Sequence, residues 1–355
     1  MAENGHSTQQ ERAALKALLR KLVEAWGPSG REERVADIVQ GELAGVMDEV
    51  RRDALGNLIA VKKAAPGQDG AKPRKVMISA HMDEIGVIIT HVDEKGFLRF
   101  GTIGGVSQFL TLGQRVLFAD GTVGVFGREK LDHIKDLAFE KMFIDIGASS
   151  KEEAEKHVQV GDSGVIQRDM ADLGGRVVAK SLDDRIGCVV AIEAARRLAA
   201  AGGGPNDVYF VFSAQEEVGL RGAQTAAYQV EPDLGLAVDV TLTGDTPEAP
   251  RMEVALGKGA AIKVKDQAIV AHPKVKDLLV AVAEENQIPY QLEILLAGGT
   301  DAGAIHLTRE GVPSGVISVP CRYVHSPSEM VDLGDVEACV TLLTAVVRKD
   351  LAGRF

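Results

Sequence analysis

Apolar residues recur along this chain in two rhythms, and the switches between them mark out its organisation. Leu15, Leu18, Leu19, Leu22, Val23 and Trp26 share one face at helical spacing over residues 13–26, and Gly27-Pro28 ends the pattern. Ser29 and Glu32 read as a capping box for a second helix carrying Val35, Ile38, Val39, Leu43 and Val46. Gly56-Asn57 marks a turn before a short strand at 58–61, and the Pro/Gly/Lys-rich stretch 64–75 reads as a surface loop. The apolar run from Val76 to Ala80 then predicts a buried strand that delivers His81-Met82-Asp83-Glu84.

From about Val87 to Asp172 the texture changes. Short runs at 87–92, 97–100, 115–118 and 122–126 are separated by turns, with one short helix near 151–157. Strands at that spacing predict a small barrel or sandwich. Helix and strand alternate again afterwards. Strands are expected at 176–180, 208–212, 234–238, 260–264 and 316–319, and helices at 186–198, 273–285 and 335–349, with a short one after Gly298-Gly299-Thr300-Asp301. The whole reads as an α/β fold made of residues 1–86 and 173–355, into which residues 87–172 insert as a small all-β domain.

Composition narrows the class. The 355 residues are 45% hydrophobic and 26% charged, which suits a soluble globular protein with ample core. No apolar run approaches a membrane span, and the polar stretch from Met1 to Arg12 lacks a signal peptide's apolar region. The net charge of −11 argues against sequence-independent nucleic-acid binding. Cys188, Cys321 and Cys339 form no C-x-x-C pair, and two of them fall in apolar helical patterns. They read as core thiols of a cytoplasmic protein.

The candidate chemistry centres on Ser213-Ala214-Gln215-Glu216-Glu217-Val218-Gly219, which leaves the apolar run Val208–Phe212 where open α/β sheets place ligands. His81, Asp183, Glu217, Asp239 and His325 all fall at predicted strand or loop ends. Two imidazoles and three carboxylates suit zinc, cobalt or manganese, and with one carboxylate bridging they can hold two ions about 3.5–4 Å apart. Asp83 is placed to orient His81, and Glu216 is left free as general base. Each residue also has an ordinary alternative: a structural histidine at 81, a helix N-cap at Asp183-Asp184, a strand terminus at Asp239 and a loop histidine at 325. The combination outweighs them. His91, His133, His157, His272 and His306 are read as ordinary.

The ordered series Pro28-Ser29-Gly30, Asp53 with Leu55-Gly56-Asn57, AHMDEIG from Ala80, KSLDDRIG from Lys180, SAQEEVGLRGA from Ser213, Asp239-Val240-Thr241, GGTDAG from Gly298 and VHSPSE from Val324 resembles the tetrahedral, deblocking or glutamyl aminopeptidases, dinuclear metallopeptidases also labelled cellulase M. The resemblance implies a mixed-sheet α/β/α domain with an inserted barrel used for dimer contacts. It implies two metal ions, one on His81 and Asp239, the other on Glu217 and His325, with Asp183 bridging and Glu216 as catalytic acid/base. It further implies a cis peptide between Asp183 and Asp184, peptide substrates, and dimers building a twelve-subunit homo-oligomer. Thr300 and Arg322 would shape the substrate pocket, while the loop 130–139 has no assigned role. A deacylase on the same scaffold, a metal-free glycosidase and a non-catalytic assembly protein are the rivals, and side-chain preference is not legible at this level.

Overall fold

The computed structural model describes residues 2–65 and 73–354. Most of the expected 64–75 loop, residues 66–72, therefore lies outside the described residues. Four parallel strands, Asp207–Ser213, Lys75–His81, Leu234–Thr241 and Ser314–Arg322, lie side by side at the centre of an eleven-stranded sheet. Antiparallel strands extend it on both sides: Leu58–Lys62 and Glu49–Arg52 beyond the first, and Glu329–Asp332, Arg176–Ala179 and Ala171–Asp172 beyond the last. Ala260–Lys265 also pairs antiparallel with Ser314–Arg322 and carries Tyr290–Ile294 alongside it. The sheet is thus mixed.

Parallel strands need cover on both faces, and strand alternation supplies it. Val76, Ile78 and Ala80 join a large core with Leu18, Leu22, Val39, Ile186, Leu279 and Leu342 from five helices: Ala2–Glu24, Glu33–Leu43, Leu182–Ala200, Pro273–Glu285 and Leu333–Val347. Met77, between them in sequence, packs instead against Ala223, Ala226 and Val230 of the helix Arg221–Val230. Each fully buried valine, leucine, isoleucine or methionine among them stabilises the fold by about 1.5–3 kcal/mol. Among the described residues no helix is long and apolar enough to cross a membrane.

The β-rich stretch closes into a six-stranded antiparallel barrel in the order Gly86–Val92, Leu98–Ile103, Met142–Asp145, Val123–Arg128, Arg115–Phe118 and Ser163–Ile166. It is a barrel and not a sandwich, because Val87 and Ile88 pair with Gly164 and Ser163 and join the last strand to the first. Its separate core is built from Val87, Ile89, Leu98, Phe100, Phe126, Met142 and Ile144.

Two local expectations are corrected. The capping box does not form: the helix starts at Glu33, and neither Ser29 nor Glu32 caps it with its side chain. Glu32 instead accepts from the backbone N–H groups of Gly30 (2.6 Å) and Gln215 (3.0 Å), and Ser29 Oγ donates to Asp83 at 2.5 Å. Buried donors and acceptors at the sheet's edge outcompete an exposed helix end for these two side chains. Asp239 does not end its strand, which runs on to Thr241, because the neighbouring strand continues to pair as far as Pro320.

Candidate metal centre and active site

The carboxyl ends of the four parallel strands bring the candidate residues together. His81 is the last residue of its strand. Ser213 pairs with it across one edge, so the turn carrying Glu216 and Glu217 starts level with the imidazole. Across the other edge Ala237 pairs with Ser79, which brings Asp239, two residues further on, level with His81. His325 follows three residues after the next strand ends at Arg322, on backbone with φ 59°. Asp183 lies at the head of the helix Leu182–Ala200, where Asp183 and Asp184 leave helical geometry and the peptide between them is cis.

Asp183 stands between the two histidines. Its Oδ1 lies 2.9 Å from His81 Nε2, and its Oδ2 lies 3.3 Å from His325 Nε2. Glu217 Oε2 is also 3.3 Å from His325 Nε2, while Glu216 Oε2 is 3.8 Å from His81 Nε2. Ligand atoms of His81, Asp183 and Glu217 lie within 4.8 Å of one another, and so do those of His81, Glu216 and Asp239.

Electrostatics tests whether this set fits metal ions. Four carboxylates converge on two imidazoles, all of them largely buried except His325. Burial raises the pKa of Glu216, and repulsion from Asp239 and Glu217 adds to it against the attraction of His81. Burial and then Asp183 raise Asp239 in the same way. His325 is pushed up to about 12: burial works to lower it, and the carboxylates of Asp183 and Glu217 prevail. Asp183 moves down, against its burial, because both histidines bond to it. Carboxylates that repel each other at largely buried positions, with nitrogen donors beside them, are the arrangement divalent cations stabilise. The donor set is oxygen and nitrogen without thiolate, so it fits zinc, cobalt or manganese.

Behind these residues lies a layer of buried acids. The carboxylate of Asp83, fully buried, accepts from the backbone N–H groups of Glu216 (2.9 Å) and Glu217 (3.2 Å). His81 Nδ1 lies nearer the Asp83 carbonyl, at 3.1 Å, than its carboxylate, at 3.4 Å. Asp83 therefore ties the strand end to the Glu216-Glu217 turn as well as flanking the imidazole. Sequence reasoning gave Glu329 no role, yet it accepts from the backbone of Asp183 (3.0 Å) and of His325 (2.8 Å). Glu32 holds Gln215, the residue before Glu216, and its pKa is pushed up to about 7 by burial and by Asp83. Asp301 accepts from Ser79 and Ser213 on the two central strands. Only their place in quoted motifs hinted at Glu329 and Asp301. Arg322, expected in the pocket wall, is engaged by Asp245.

The barrel reaches this centre too. A side chain at Gly105 would collide with the His325 ring, and one at Gly104, where φ is +71°, would crowd Glu217. Both glycines let the inserted segment lie directly against two of the candidate ligands.

An α/β sheet with imidazoles and carboxylates converging at its carboxyl edge, joined to a small antiparallel barrel, is the architecture this chain shares with solved peptidases. Residues 56–342 match the model of the M42 glutamyl aminopeptidases, and the chain belongs to that family of metallopeptidases. It is an aminopeptidase. A protein of Acetivibrio thermocellus, named as a candidate aminopeptidase, is 51% identical over 331 residues, 93% of this chain and 97% of the relative. The aminopeptidase APDkam598 of Desulfurococcus kamchatkensis superimposes with a TM-score of 0.90 at 42% identity over 96% of each chain. The TET1 peptidase of Pyrococcus horikoshii, which can assemble into a tetrahedron or a large octahedral shell, gives 0.85 at 32% identity over 95% of this chain and 100% of that one.

Proposed function

We propose that this aminopeptidase removes amino-terminal residues from peptides with two divalent metal ions, His81 and Asp239 holding one, Glu217 and His325 the other, and Asp183 both. The observation that carries this reading is the position of Asp183, each of whose carboxylate oxygens faces a different histidine. When bound, the ions would polarise the scissile carbonyl and lower the pKa of water to about 7.

Glu216 is the residue that moves the proton. It stands beside the ligand set, its Oε2 3.8 Å from His81 Nε2, without being one of the five ligands of this reading, so its carboxylate is placed to accept a proton from the attacking water and return it to the departing amine. Asp83 acts as a positioning residue through the two backbone N–H groups it holds. Glu329 does the same for Asp183 and His325. The free α-amine of the substrate would sit against the cluster's acidic side chains.

Residues 87–172 would form the dimerisation domain of a homo-oligomeric shell, by analogy with the P. horikoshii peptidase, with twelve subunits. The exposed Phe109, Leu110, Val123 and Val125 support an interface there. The three buried free cysteines suit a reducing cytoplasm.

The test is metal analysis alongside turnover. Two ions per chain are expected, with activity lost on chelation and restored by Zn²⁺ or Co²⁺. Full activity in enzyme shown by elemental analysis to hold no metal would refute the two-metal reading.

A further inference from the structure

The centre opens into a cavity of about 620 Å³. Beyond the cluster, its walls come from the turn after Glu217, the strand end after Asp239 and the segment around Gly298. Leu220, Val240, Leu242, Leu295, Ala297 and Val324 supply most of its side chains. Apart from Asp183, Glu216, Glu217, Asp239 and His325, no charged side chain among the described residues lines it.

Two cations close by in the chain are already engaged. Arg322, two residues before Val324, makes a two-point pair with Asp245 at 2.9 and 2.7 Å. Lys263 is fully buried against Glu293 at 2.5 Å and Asp266 at 3.3 Å. Beyond the cluster, a carboxylate side chain would lie against apolar wall with no lysine or arginine among the described lining residues to pair with it. An ammonium would find no acid except those needed for the reaction. An aliphatic side chain gives up no polar contact and covers apolar wall.

From this we infer that the enzyme acts preferentially on peptides whose first residue is aliphatic, such as leucine or methionine, and not acidic or basic. Leu220 and Leu242 are its specificity-determining residues. The inference rests on the aminopeptidase reading, with the first side chain seated in this cavity.

The test is a set of peptides, identical beyond the first residue, assayed for kcat/KM with the full-length, metal-loaded enzyme. Leucine and methionine should exceed glutamate and lysine by about 10²-fold, the scale on which an apolar pocket rejects a side chain it must desolvate. Hydrolysis with glutamate or lysine as the best first residue would overturn the inference and leave the aminopeptidase reading standing. No hydrolysis of any peptide would instead strike that reading itself. Leu242→Arg supplies the missing cation and should shrink the leucine-to-glutamate ratio at least ~10-fold, mainly by improving glutamate. Leu220→Arg is the parallel variant should the first fail to fold. An unchanged ratio in a folded variant would remove that residue from the specificity assignment.

Discussion

Two clusters of buried charge are interleaved on the same two peptide segments, and they are completed in opposite ways. Glu84 lies three residues after His81, and Lys180 and Arg185 flank Asp183. Glu84 Oε2 receives Lys180 Nζ at 2.6 Å, and its Oε1 lies 3.4 Å from Arg185 NH2. Arg185 also donates to the carbonyl oxygens of Leu22, Ala25 and Gly27, which pins the amino-terminal helix to the helix Leu182–Ala200. The carboxylate of this cluster is paired by the protein's own cations, and Arg185 donates in turn to nearby carbonyls, with its Nε alone left unpartnered. The neighbouring one gathers four carboxylates around two imidazoles and has no lysine or arginine within salt-bridge distance of them among the described residues. A cluster closed by internal partners holds the fold together. One left with excess negative charge suits an external cation.

The sharpest way to break this contrast is within the open cluster. Glu216→Gln should lower turnover about 10²–10⁴-fold, or roughly 3–5 kcal/mol of barrier, while metal content persists. Glu217→Gln should instead lose one ion and recover part of its activity as metal concentration rises. Stoichiometry and turnover measured together across a metal titration decide it; if Glu216→Gln lost metal and Glu217→Gln kept both ions, the two roles would be exchanged.

The closed cluster should respond in stability and not in chemistry. Arg185→Met leaves Glu84 with one buried partner fewer and strips a donor from the carbonyls of Leu22, Ala25 and Gly27, so unfolding in urea should show a loss of about 3 kcal/mol. Metal stoichiometry and kcat of the folded fraction should hold. A lost ion with unchanged stability would show that the two clusters are one.

Between them lies the barrel's contact with the centre. Gly105→Ala pushes against His325, which should weaken metal binding about 10–100-fold, the usual cost of disturbing a ligand's support. Metal affinity equal to wild type would show that the inserted segment does not brace the ligand. The smallest effect belongs to charge on the surface. Arg12 pairs with Glu337 at 2.8 Å with both side chains largely in water, so Arg12→Ala should change stability by about 0–1 kcal/mol, as read by thermal unfolding, and leave activity alone.

The sequence by itself determined the element types, the β-rich interruption and the identity of the converging side chains. Strand Val76–Ala80, helix Pro273–Glu285 and strand Arg115–Phe118 were legible because periodicity and turn chemistry are local. The chain's ordered motifs likewise pointed to the residues that the sheet gathers. Tertiary structure alone decided which neighbours in those motifs serve the centre and which serve the core. Asp83 and Glu84 are adjacent acids, yet one holds the Glu216-Glu217 backbone and the other neutralises Lys180. Glu32 matched a helix cap in spacing and went instead to Gln215, 183 positions away. The short strands Glu49–Arg52, Tyr290–Ile294 and Glu329–Asp332 carry too little pattern to stand out, and form because a sheet edge offers unpaired backbone groups. Hydrogen-bond partners and counter-charges are chosen across the fold, from whatever the packed strands bring within about 3 Å, and no spacing along the chain encodes that choice.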